Sequence, residues 1–163
     1  MDNLFSKLNL KSFKIASIIV LTISDFLVSA FIILRFKSNS NLFQKSMEIV
    51  LAQQPELGAN LPPDFHNQLY LLLLNSIKVM IVLYILYHLL VYFLWHIEKR
   101  AAAKYIQIIC WLGAPFALIY ALIYTLQTPM FGFFALFVGL SYLFVALGMR
   151  HFPESLVPKK VVK

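Results

Sequence analysis

Apolar residues fall along this chain in four long runs, separated by short polar stretches rather than interleaved with them. The runs cover Ile15 to Leu34, Leu69 to Trp95, Tyr105 to Leu126 and Met130 to Met149. The second is about 27 residues, some 40 Å at helical rise, and crosses a hydrocarbon core of about 30 Å with room for tilt. The others, at about 20 residues each, are also long enough. The pattern predicts an all-α polytopic membrane protein, a four-transmembrane-helix bundle forming a single membrane domain over residues 1–163. The connection Gln127-Thr128-Pro129 is so short that the last two spans must form an antiparallel hairpin. Pro115 predicts a kink in the third span, because proline removes a backbone hydrogen bond. Gly132, Ala135 and Gly139 give the fourth a small-residue side on which another helix can approach closely.

Residues 35–68 are the one sizeable hydrophilic segment, read as the first extracytoplasmic loop. Within it Phe43, Met47, Val50 and Leu51 recur at helical spacing after Ser40 and Asn41, which suit an N-cap. A short amphipathic helix is expected there, lying on the membrane face or docking a protein partner. Pro55, Gly58 and Pro62-Pro63-Asp64 should end it and turn the chain back. Before the first span, Lys7, Lys11 and Lys14 among large apolar residues read as an interfacial lead-in. Residues 150–163 form a basic tail.

Composition agrees with this class: 61% of residues are hydrophobic and 13% charged, against about 45–50% and about 25% in soluble domains. The net charge of +7 does not point to nucleic acid, because the cations cluster at the ends of apolar runs, where they set topology and meet lipid headgroups. Lys7, Lys11 and Lys14, then Lys99, Arg100 and Lys104, then Arg150, Lys159, Lys160 and Lys163 fall on one side of the membrane. Arg35, Lys37 and Lys45 fall on the other. Since basic residues favour the cytoplasmic side, both termini are expected inside, in a bacterial cytoplasmic (inner) membrane. Trp95 and Tyr105 would then belong to an inner aromatic belt.

Two ionisable residues interrupt the apolar runs, Asp25 in the first and Lys78 in the second. Each lies nine residues from the outer end of its run, and a lone charge in hydrocarbon costs at least ~2.5–3.5 kcal/mol. An Asp25–Lys78 ion pair is therefore expected, with Asn75 and Thr22 as hydrogen-bonding neighbours. Its plainer role is to pin the register of the first two spans. The alternative is a proton or ion relay, since Asn75, Lys78, His88, Tyr92 and His96 fall within a sector of about 140° on the second span.

The sequence assigns no catalytic residue, cofactor or metal. His66, His88, His96 and His151 are scattered over different depths, unlike a metal or haem site. Cys110 stands alone, so there is no disulfide or cysteine metal frame. No nucleophile-elbow, phosphate-loop or dinucleotide motif is present. The expected function is that of a non-enzymatic accessory, scaffold or assembly subunit in a membrane complex, embedded in the lipid bilayer with a protein partner or as a homo-oligomer. One alternative is a subunit of a small transporter or channel using Asp25 and Lys78. Another is an enzyme acting on a lipid substrate, whose headgroup would meet Lys99, Arg100, Lys104 and Arg150.

Overall fold

The computed structural model of the chain describes residues 5, 8–53, 62 and 64–156. Its regular elements are all helical: α1 (Leu10–Ser38), α2 (Ser40–Gln53), α3 (Phe65–His96), α4 (Arg100–Thr125) and α5 (Pro129–His151), then a 3₁₀ turn over Pro153–Leu156. Four of them, α1, α3, α4 and α5, are long and apolar enough to cross a membrane. The all-α, four-span architecture is thus present. The stops expected at Pro55 and Gly58, and the end of the tail, lie outside the described residues.

The helices overrun the apolar runs. α1 starts at Leu10 and ends at Ser38, where 15–34 was expected. α3 begins at Phe65 rather than Leu69. Apolar run length reports the hydrocarbon layer, whereas helix length depends on whether the flanks can keep bonding, and lysine, arginine and serine can. At the far end of α1 the bonding hardly breaks. The Asn39 N–H reaches the carbonyls of Arg35 (3.2 Å) and Phe36 (3.3 Å), and the Phe43 N–H bonds to the Asn39 carbonyl (3.0 Å). The expected loop therefore opens as helix. In α2, Phe43, Met47 and Leu51 are half-buried at successive turns, while Val50 is exposed along with Leu42 and Ile49.

Within what the sequence reads as a single membrane domain, the chain packs as two compact units. The first takes Met1–Val28 and Ile85–Lys163. Its core holds Phe13, Trp95, Cys110, Val145 and Met149, all fully buried. Here α4 and α5 form the expected antiparallel hairpin around Gln127, with Pro129 in the first turn of α5. Gly132 sits against the backbone of Thr125, and Gly139 against Leu118. The small residues of α5 are what let α4 come this close. α4 runs through Pro115 as one helix. Trp95 is a core residue and not a belt residue, for its indole N–H is taken up by the Ser155 carbonyl (3.2 Å).

The second unit is Ser29–Tyr84. Its packing centres on Tyr70, whose ring stacks on Phe36 at 5.3 Å between centroids and meets Phe43 at 5.8 Å.

Candidate functional site

The buried stripe of α1 is polar. Lys14, Ser17, Leu21, Ser24 and Asp25 recur every three or four residues and are all buried, the spacing that keeps one helical face turned inward. Small serines let neighbouring helices approach. Ser24 satisfies itself by donating to the Val20 carbonyl (2.8 Å). Asp25 cannot donate as a carboxylate, so it must be given donors.

Two come from α3. His88 Nδ1 lies 2.9 Å from Asp25 Oδ1, and the Tyr92 hydroxyl donates to Oδ2 at 2.6 Å. His88 and Tyr92 are four residues apart and so share one face of α3. The three side chains are 3–5% exposed, so water does not screen these bonds. Because a carboxylate only accepts, Nδ1–H is the donor. The Tyr105 hydroxyl of α4 lies 3.2 Å from Nε2. The result is a bonded chain of phenol, carboxylate, imidazole and phenol across three helices, packed with rings: Tyr87 meets Tyr105 edge-on at 5.6 Å. A void of about 10 Å³ beside it is lined by His88, Tyr105, Cys110 and Tyr142 among others, room for about one water.

The acid expected to pair with Lys78 is thus paired with His88 and Tyr92. Lys78 is exposed, its ammonium 3.4 Å from Asn75 Oδ1 one turn back on the same helix. Counting depth from the outer ends of the runs misleads, because a long connection does not hold those ends level. The opposite end supplies a true register mark: Lys14 Nζ is 3.4 Å from Glu98 Oε1. Asp25 is eleven residues from Lys14 and His88 ten from Glu98, about 15–17 Å each at helical rise. That count matches Asp25 to His88. Thr22, expected to help Asp25, is off the buried stripe, and Tyr92 has its place.

The structure therefore joins Asp25, His88 and Tyr92 of the expected residues and adds Tyr105, while the contact shown for Lys78 is with Asn75. Sequence reasoning set Tyr105 aside as a belt aromatic. His96 is exposed. Lys99, Arg100, Lys104 and Arg150 are all exposed at one end of the α4–α5 hairpin. Among the described residues, no group of three or more His, Cys, Asp and Glu side chains could hold a metal ion.

Comparison of the chain with protein-family models, with curated proteins and with solved structures gave no match.

Proposed function

We propose that the protein is an accessory or assembly subunit of a membrane complex, with α3 as its docking helix. One observation carries this reading. In the Ser29–Tyr84 unit, α3 exposes Leu71, Leu72, Val79, Met80, Val82 and Leu83, and on the same exposed side the hydrogen-bonded pair Asn75–Lys78. Apolar exposure alone suits lipid; a lysine within it does not, and costs free energy wherever it remains in hydrocarbon. A partner span bearing a carboxylate removes that cost. The acid of this chain's own spans, Asp25, is already engaged by His88 and Tyr92, so charge complementarity favours a different protein over a second copy. In this reading both termini are cytoplasmic, the membrane is a bacterial inner membrane, and α2 lies along its outer face.

Photo-crosslinkers placed at Leu72, Val79 and Val82 in native membranes test it. A discrete protein adduct is expected, lost in Lys78→Leu and kept in Lys78→Arg, from a partner with a membrane-embedded Asp or Glu. Lipid adducts alone at all three positions would end the proposal.

A second reading has its own observation: Asp25, His88 and Tyr105 stand within hydrogen-bonding distance in series, as the groups of a proton path do. Proton flux in reconstituted vesicles that disappears in Tyr105→Phe, with folding unaltered, is the expected sign. Equal flux in that variant excludes the path.

A further inference from the structure

The first unit holds a second polar site, at the edge of the apolar layer. A pocket of about 290 Å³ is lined by Leu10, Lys11 and Lys14 of α1, by His96 at the end of α3 and by Glu98 just after it. Lys11 and Lys14 precede the apolar run that starts at Ile15, and His96 and Glu98 follow the run that ends at Trp95. All four therefore stand where hydrocarbon gives way to headgroups, whichever side of the membrane this is. Ligand sites commonly enclose about 300–1,000 Å³, so the volume suits a headgroup and not a whole lipid.

Two helix ends build the pocket. Asn9 caps α1: its side-chain oxygen accepts the Ser12 N–H (2.8 Å) and its carbonyl the Phe13 N–H (2.9 Å). Leu10 and Lys11 are thus the first two residues of the helix, where the N–H groups have no acceptor within it and carry the positive end of its dipole. Lys11 and Lys14, three residues apart, share a face. α3 ends in the opposite sense. The Glu98 N–H bonds to the Trp95 carbonyl (3.0 Å) and the Lys99 N–H to the Leu94 carbonyl (2.9 Å), with Glu98 at φ 64°. That is the paired closure of a helix C-terminus by a left-handed residue, and it sets His96 and Glu98 at the negative end of α3.

The pocket therefore carries both signs. Lys14, only 6% exposed, meets Glu98 at 3.4 Å. That contact uses one of three ammonium N–H groups and one of two carboxylate oxygens, so both groups can bond further while keeping it. His96 offers an N–H in either tautomer, and Lys11 a full positive charge. A simple anion would bring its charge against Glu98, and a simple cation would meet two lysines. A ligand with a phosphate and an ammonium a few bonds apart satisfies both ends.

We infer that this pocket binds a phosphoethanolamine group, its phosphate on Lys11, Lys14 and His96 beside the first turn of α1 and its ammonium on the Glu98 carboxylate. At headgroup depth the source is a phosphatidylethanolamine of the surrounding membrane, with Leu10 as the apolar wall for the start of its acyl chains. None of these residues belongs to either reading above.

The experiment releases the full chain from micelles holding equal amounts of phosphatidylethanolamine, phosphatidylcholine and phosphatidylglycerol with the same acyl chains, and counts retained lipid by native mass spectrometry. One phosphatidylethanolamine per chain is expected, at least fivefold above each of the others. Choline lacks the N–H donors that Glu98 accepts, and glycerol lacks the cation. Lys11→Gln and His96→Gln together, at two exposed positions that leave the core untouched, should lower its retention at least fivefold. Glu98→Gln should erase the preference over phosphatidylglycerol. Glycerophosphoethanolamine, the same headgroup in water, should displace less than a tenth of the lipid at equal concentration. Equal retention of the three lipids, a preference untouched by the paired Lys11 and His96 substitutions, or full displacement by the soluble headgroup would each overturn the proposal.

Discussion

Removing His88 and Asp25 together should destabilise the protein less than the sum of their separate effects. In the native chain Asp25 is 3% exposed and accepts bonds of 2.9 and 2.6 Å. His88→Leu takes one of these bonds away from a carboxylate in a dry interior. Losing a hydrogen bond to a charged acceptor costs about 1.5–3 kcal/mol. Asp25→Leu takes from the His88 ring and the Tyr92 hydroxyl the acceptor they share, at about 1–3 kcal/mol for each buried group it leaves unsatisfied. In the double variant the acid and its unmet need vanish together, so its loss should fall short of the sum by about 1–3 kcal/mol. The assay is reversible unfolding in mixed micelles titrated with a denaturing detergent, with four proteins forming the cycle. Additive effects, or single losses below about 1 kcal/mol, where surface substitutions fall, would refute the reasoning and show the bonds to be incidental.

Other outcomes follow from the same geometry. Tyr92→Phe should cost about 1.5–3 kcal/mol, since it removes a hydrogen bond to a charged acceptor, and Tyr105→Phe only about 0.5–1.5, since its contact with His88 is longer, 3.2 Å against 2.6 Å, and less buried; unfolding midpoints give the order. Gly132→Ala should be worse than Gly139→Ala, because the new methyl meets Thr125 backbone in the first and the flexible Leu118 side chain in the second; thermal denaturation of each in detergent separates them, with overpacking costing about 1–3 kcal/mol. Glu98 holds a left-handed backbone, φ 64°, and its carboxylate reaches Lys14. In a Lys14→Met background, where that contact is already gone, Glu98→Gly should therefore raise stability by about 1 kcal/mol, and a thermal midpoint that falls would show the backbone is not strained there.

The four membrane-length helices were legible because hydrocarbon thickness imposes run length directly, and the hairpin of α4 and α5 because three residues leave the chain no other course. Asp25 was legible as a residue needing a partner. Its partner was not, since opposite formal charge drew the eye to Lys78, whereas a carboxylate needs donors and His88 and Tyr92 supply them. The helical register that settles the matter was written in Lys14 and Glu98, the latter at an unusual backbone angle that no spacing rule announces. Tyr105 and Trp95 were misplaced for one reason: aromatics near a span end satisfy a belt and a core equally well in sequence, and the bonds to His88 and to the Ser155 carbonyl decide between them.

The Asp25 unit is assembled from chain before residue 29 and after residue 84, so the stretch between is topologically an excursion. Ring-closure entropy grows only logarithmically with the length of such an excursion, by about 0.6 kcal/mol per doubling. Variation should therefore be cheapest there, as matched gains or losses of whole helical turns on the outgoing and returning arms, which lengthen or shorten the insert without retuning the acid, the imidazole or the phenols at its root.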